Sequence, residues 1–269
     1  MNLYALIQQT QREVVSTGDR QSILTKPEKA LSFYGGASLT AEQGQKTLIL
    51  LWSQLGDFDN LEYAWWLKRD SSKLAELQIK VKAIAIGNRQ SGLKFCTYTG
   101  FPTDCLYVDP TGELHRQLGL YSGLNIRFPG LSPKYQAFLN LTLMCAGIGS
   151  PGTLREVLRG YTGDRSAPQL IGDDEEIAET PLPTLKGSMF KLAGGSGFQR
   201  PFELATLRLR NMSEVLSNWN TYVPDGRYIT QRGATFLFDR SGKLLYEHRD
   251  RNILGFAANM SNPLAFLQN

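Results

Sequence analysis

Sulfur and imidazole are scarce in this chain of 269 residues, which has three cysteines and two histidines. Neither a Cys-x-x-Cys nor a His-x-x-x-His spacing occurs. Structural zinc sites and disulfide frameworks therefore have no basis in the sequence, and no metal or other cofactor is expected. An odd, sparse cysteine count fits a reducing, cytoplasmic compartment. Long apolar runs are missing as well: Leu48–Trp52 and the stretch around Leu139–Ile148 fall well short of a bilayer span, so no transmembrane segment is expected. The start, MNLYALIQQTQREVV, has neither the basic opening nor the long apolar centre of a secretory signal. Neither charge sign dominates. Against 25 Asp and Glu stand 29 Lys and Arg, and the resulting +4, spread along the chain, makes no nucleic-acid footprint.

With 42% hydrophobic and 20% charged residues, the chain has the composition of a folded globular protein large enough to bury a core without disulfides. Leu3, Leu6, Ile7, Val14 and Val15 recur at helical spacing, which predicts an N-terminal helix within residues 1–25. Lys46–Ser53 (KTLILLWS) and Lys80–Gly87 (KVKAIAIG) read as strands buried on both faces. Between them, Asp57–Leu77 reads as one long helix, opened by a capping-box-like pair, Asp59 and Glu62. A short helix at Ser91–Thr99, a strand at Asp104–Val108 and a helical turn at Leu114–Leu118 complete a β-α-β-α-β-α order, which implies a parallel sheet in an α/β fold. After Gly123 the rhythm breaks: prolines and glycines punctuate helical patterns at Tyr135–Ala146, Thr153–Arg159 and Phe202–Trp219, and the acidic stretch Asp173–Glu179 reads as an exposed loop. Ala234–Asp239 and Lys243–His248 then form a hairpin around Arg240-Ser241-Gly242, with a closing helix expected over Phe256–Leu267.

Two segments, FPTDCLYVDPTGELHRQLGL and QRGATFLFDRSGKLLYEHRDR, in this order after a strand and a long helix, resemble the peroxiredoxin-like AhpC/TSA family. The resemblance covers residues 26–123 and 228–267 and implies a thioredoxin-like fold over 26–123 and 228–269, interrupted by a long, mostly helical and loop insertion, 124–227. The family chemistry requires a low-pKa cysteine at the N-terminus of the helix after the first central strand, where unpaired N–H groups and the helix dipole favour a thiolate. This branch commonly has Gly-Cys-x-x-Cys there, whereas this chain has Gly56-Asp57-Phe58-Asp59-Asn60, with Asp57 and Asn60 at the two cysteine positions. The Pro-x-x-x-Thr-x-x-Cys pattern of ordinary peroxiredoxins is also absent, its places taken by Leu50, Gln54 and Asp57. Arg232 stands where the resemblance places an active-site arginine. Asp57 and Asp59 are expected to cap the helix; the competing reading makes Asp57 an anion that mimics the thiolate and pairs with Arg232.

The remaining candidates have plain structural readings beside the functional ones. Cys105 and Cys145 are expected in the core, and Cys96 is the fallback thiol because Lys94 and Arg89 would lower its pKa. None of the three is expected to lie solvent-open beside Arg232. Gly147–Gly152 matches G-x-G-x-x-G, but a helical pattern precedes it, so a helix–loop–helix hinge is the expected context. The Gly194–Gly197 stretch lacks a nucleophile-elbow spacing. His115 is expected on a helix surface and His248 at a strand end. Arg200, Arg208 and Arg210, with Lys186 and Lys191, give the 124–227 region a basic character, either a solvated face or a site for an acidic protein partner or anionic headgroup. The sequence thus points to a redox-inactive, peroxiredoxin-like binding protein (an assembly, scaffold or regulatory factor), with a thiol peroxidase using a relocated cysteine such as Cys96 as the alternative. A partner in a photosynthetic membrane complex, and hence a place at the thylakoid surface, follows from the resemblance alone.

Overall fold

The computed structural model describes residues 45–177 and 184–268, with the backbone of the two-residue strand β1 (Ser32–Phe33). The N-terminal helix expected within 1–25 lies outside them. Strand β2 (Lys46–Gln54) is buried at every residue after Lys46, because its two faces serve two cores. Leu48, Leu50 and Trp52 face the larger core, where Trp52 meets Phe95 and Phe101 with ring centroids 5.2 and 4.9 Å away. Ile49 and Leu51 face a smaller core with Leu114, Leu118, Phe236 and Phe238. A run apolar at consecutive positions is what such two-sided burial demands.

Strands β3 (Ile79–Ile86) and β4 (Leu106–Asp109) continue the sheet in parallel with β2. Strands β5 (Glu176–Ile177) and β6 (Leu185–Lys186) pair separately, and the final pair, β7 (Ala234–Phe238) and β8 (Leu244–Arg249), is an antiparallel hairpin laid against β2. The main sheet runs β1-β4-β3-β2-β7-β8. A mixed sheet with a parallel core and a C-terminal hairpin is the α/β, thioredoxin-like arrangement that the resemblance implied.

Helix α1 (Phe58–Arg69) and the short α2 (Ser71–Glu76) replace the single helix read over 57–77. Asp70, at φ −92° and ψ 18°, ends the first and opens the second, and the Asp70-Ser71-Ser72 triplet is rich in side chains that compete for backbone hydrogen bonds. Helix α3 (Arg89–Thr99) starts at a capping box between Asn88 and Ser91 and stops at Gly100, whose φ of 72° suits a residue without Cβ. Helix α4 (Glu113–Gln117) covers the smaller core.

Between residues 124 and 227 lie α5 (Pro133–Cys145), α6 (Thr153–Thr162), α7 (Lys191–Gly194), α8 (Glu203–Ser217) and α9 (Trp219–Tyr222). Helix α8 packs on both α1 and α6. The glycine-rich stretch 147–152 joins α5 to α6 and follows no strand, so it is not a dinucleotide-binding turn. The helix expected over 256–267 is instead a series of turns ending in a 3-10 turn, Ala265–Gln268. Asn259 accepts the Ser261 N–H at 3.0 Å through its side chain, and Pro263 has no N–H to continue a helix. Among the described residues no helix is long and apolar enough to cross a membrane.

Candidate functional site

Strand β2 ends beneath the N-terminus of α1, and the turn between them is tight. A Cβ on Gly56 would come within 2.7 Å of Val223 Cγ2 and 3.1 Å of Tyr222 Cβ, so the close approach of α9 requires glycine here. The next residue, Asp57, is the N-cap of α1: its carboxylate accepts the Asp59 N–H at 3.1 Å and the Ser53 hydroxyl at 2.7 Å. That carboxylate also forms a direct ion pair with the buried Arg232, two residues before β7. Capping and pairing with Arg232 thus do not exclude each other. Asp57 caps the helix, and it is the anion facing the arginine.

Asn60, at the second cysteine position, is buried and donates to Gln54 O at 2.8 Å and Ser53 Oγ at 3.2 Å, tying the first turn of α1 to the end of β2. Asp59 does not form the capping box with Glu62 that its spacing suggested. It lies buried inside the helix, accepts the Leu254 N–H at 2.9 Å, and sits 3.5 Å from Arg232 Nη1. A third carboxyl, Asp250, accepts the Gly233 N–H at 3.2 Å through one oxygen, while the other has no hydrogen-bond partner. One guanidinium thus faces three carboxyls. Burial raises Asp59 well above the ordinary carboxyl range, Asp57 adds to this and Arg232 opposes it. Burial likewise pushes Asp250 up to about 7 against the pull of Arg232. Burial works against the charge on Arg232, but Asp57, Asp59 and Asp250 outweigh it and raise its pKa, so it remains a cation.

Beside this cluster is a cavity of about 40 Å³ lined by Gln54, Asp57, Arg232 and Cys145 among others, room for a molecule of a few heavy atoms. The presence of Cys145 overturns two expectations. It is exposed rather than core, and it brings a thiol, on the last residue of α5, to the arginine's side of the molecule. Partial desolvation by its surroundings raises the thiol pKa, with Asp57 and Asp59 adding to the effect and Arg232 opposing it, so the resting form is the thiol.

The fallback residue Cys96 fails on the same physics. It is buried, and desolvation, then Cys105 and Asp104, push its thiol up to about 12, while Lys94 is engaged with Glu214 at 3.0 Å. Cys105 is half-buried. His115 is not on a surface: it is fully buried, its Nε2 lies 2.9 Å from Trp52 O, and burial lowers its pKa to about 4. His248 Nε2 lies 2.9 Å from Gly255 O.

The basic residues of the 124–227 segment do not form one open face. Arg200 is completely buried, donating to Glu203 at 2.7 Å, to Asp173 at 2.6 Å and to Ile171 O at 2.8 Å. Arg208 reaches back to α1 and donates to Glu62 at 2.7 Å, with Glu156 3.6 Å away. Lys191 pairs with Asp173 at 2.5 Å and Lys186 with Glu176 at 3.7 Å. Arg210 stacks over Tyr98, 5.2 Å from the ring centroid. Arg200 and Arg208 are partnered by Asp173 and Glu62, 27 and 146 positions away in sequence, which local composition does not report.

A thioredoxin-like sheet whose first central strand delivers a helix N-terminus to an arginine beside the C-terminal hairpin defines a peroxiredoxin-like protein. The family model described as AhpC/TSA antioxidant enzyme matches residues 66–252, more than half of the chain, and the chain belongs to that family. No curated protein and no solved structure matches it significantly. The matched span begins within α1, so it includes Arg232, Asp250 and Cys145 but not Asp57.

Proposed function

We propose that this chain is a redox-inactive member of the family that acts by binding a protein partner, in an assembly, scaffold or regulatory role. The observation that carries this reading is the Asp57–Arg232 pair. The arginine that would face a thiolate already holds a carboxylate, which has no sulfur to oxidise and no path to a sulfenic acid. The surface of the 124–227 segment supports binding. Leu154, Leu158 and Tyr161, at positions i, i+4 and i+7 of α6, are 54, 62 and 53% exposed, and Phe202 meets Tyr161 edge-on. Large apolar side chains aligned on one exposed helix face suit a protein interface. A cytoplasmic site of action, at the surface of a photosynthetic membrane complex, extends this reading along the resemblance.

The position of Cys145 favours a second reading, thiol peroxidase chemistry there rather than at Cys96. In that chemistry the Cys145 sulfur attacks a hydroperoxide oxygen, the O–O bond breaks, the thiol is oxidised to sulfenic acid, and water or an alcohol leaves. One external thiol then condenses with the sulfenic acid to a mixed disulfide, releasing water, and a second frees the Cys145 thiol and leaves as the disulfide of the two. Hydroperoxide consumption with a thiol reductant separates the two. The binding reading expects no turnover above buffer by the intact protein, and turnover abolished by Cys145→Ser replaces it with the thiol reading. Crosslinking affinity purification from the native cells is expected to recover a stable partner with the wild type and to lose it with Leu158→Glu. Recovery of none overturns the binding role.

A further inference from the structure

A second cleft lies away from the Asp57–Arg232 cluster, where the second half of α1, the end of α3 and the middle of α8 meet. Its volume is about 340 Å³, within the roughly 300–1,000 Å³ of small-molecule sites. The buried Leu61 and Leu207 supply apolar wall, and Trp65 and Tyr98 supply flat aromatic surface. Lys68, Arg69 and Arg210 line it, against a single carboxylate, Glu175. Arg69 is fixed over Trp65, 5.1 Å from the ring centroid, and donates to Gln169 O at 3.1 Å, while Arg210 is fixed over Tyr98. Lys68 and Arg210 have no carboxylate partner among the described residues. That sets them apart from Arg200, Arg208, Lys186 and Lys191, all of which are neutralised.

Asn211 supplies the second, independent observation. It is 3% exposed and lines the cleft; its Oδ1 accepts the Tyr98 hydroxyl at 3.1 Å, yet its Nδ2 is buried with no acceptor. A buried donor left unpaired costs about 1–3 kcal/mol, so the site holds an unmet demand for an acceptor atom. From these features we infer that the cleft binds a small organic anion, a carboxylate or phosphate carried on a flat ring, with Lys68 and Arg210 holding the charge and Asn211 Nδ2 donating to it. The inference does not depend on how the Asp57–Arg232 site functions.

Calorimetric titration of the full chain with adenosine monophosphate, 1-naphthoate, adenosine and inorganic phosphate tests it. A saturable, salt-sensitive response to adenosine monophosphate or to 1-naphthoate, with adenosine and phosphate each weaker, is expected; which of the two binds tells a phosphate from a carboxylate ligand. Arg210→Ala and Asn211→Asp are expected to weaken binding about tenfold or more, about 1.4 kcal/mol. Asn211→Asp keeps an oxygen for Tyr98 while removing the free donor, so an unchanged melting curve with lost binding separates ligand contact from folding. Lys243→Ala, outside the cleft, is the control and is expected to bind like the wild type. No response to either ring-bearing anion, phosphate binding as tightly as the ring compounds, or full binding by both cleft variants overturns the inference.

Discussion

Two arginines reach helix α1 from later in the chain, and they meet unequal company. Arg232 faces Asp57, Asp59 and Asp250, one cation against three carboxyls. Arg208 faces Glu62 and Glu156, and Glu156 is shared at 2.8 Å with Arg159, which also lies 3.7 Å from Asp164, so there two cations meet three carboxylates. Burial of the surplus acid is what separates the clusters: Asp59 and Asp250 are sealed in, whereas Asp164 is partly open and accepts hydrogen bonds from Ser166 and Ser261. Where carboxyls outnumber cations in a buried site, the excess is accommodated by raised pKa values, so the first cluster responds to protons near neutrality. In the second, the buried Arg208–Glu62 pair has its value in staying intact.

Breaking the Arg208–Glu62 pair carries the largest expected cost. Arg208→Ala strands Glu62, which has no exposed surface, and is expected to lower stability by about 3–5 kcal/mol in urea unfolding. Finding less than about 1 kcal/mol would remove the contrast between the clusters. The next effect concerns pH. The folded-state pKa of Asp250 is about 7, above its ordinary 3.8, so between those values the folded chain holds a proton that the unfolded chain has lost. Stability is therefore expected to fall as pH rises from about 5 to 7, on the order of 1 kcal/mol per pH unit, and to level off above. Asp59 acts in the same direction. Melting temperatures of wild type and Asp250→Asn across that range check this: the variant is expected to show a shallower slope, and equal slopes would show that Asp250 does not hold the proton. The smallest effect is expected from Asp57→Asn. Asparagine caps a helix as well as aspartate does, and two carboxyls remain beside Arg232, so the loss is expected to be about 1 kcal/mol or less. A loss as large as that of Arg208→Ala would mean that Asp57 is not one of a surplus.

Much of the fold was legible because its strongest signals are local. The apolar run of β2 and the Gly100 stop of α3 each report their own structure, and so does the hairpin turn, where Gly242 has a φ of 82°. The break at Asp70 and the missing terminal helix were obscured because side chains that compete for backbone bonds were outweighed by apolar spacing in the reading. At the site, the opposition of Asp57 and Arg232 followed from the family resemblance. The buried state of Asp59 and Asp250 did not, since it depends on residues 253–257 folding over the helix N-terminus. Cys145 and Arg200 were misplaced for the same reason: an apolar neighbourhood in sequence says nothing of which face of a helix meets solvent, and a basic one says nothing of distant carboxylates. The cleft at Asn211 left no signal at all, as its walls come from three separate stretches of chain.

The bond between Arg208 and Glu62 also bears on how this architecture can be shortened. Excising residues 124–227 would take the guanidinium away with α8 and uncover the face of α1 on which α8 packs, so Glu62 would meet water in place of its partner. A trimmed chain would then have to make the apolar residues of α1 that α8 covers, Leu61 among them, polar in the same step, so that helix and segment are inherited, or discarded, together.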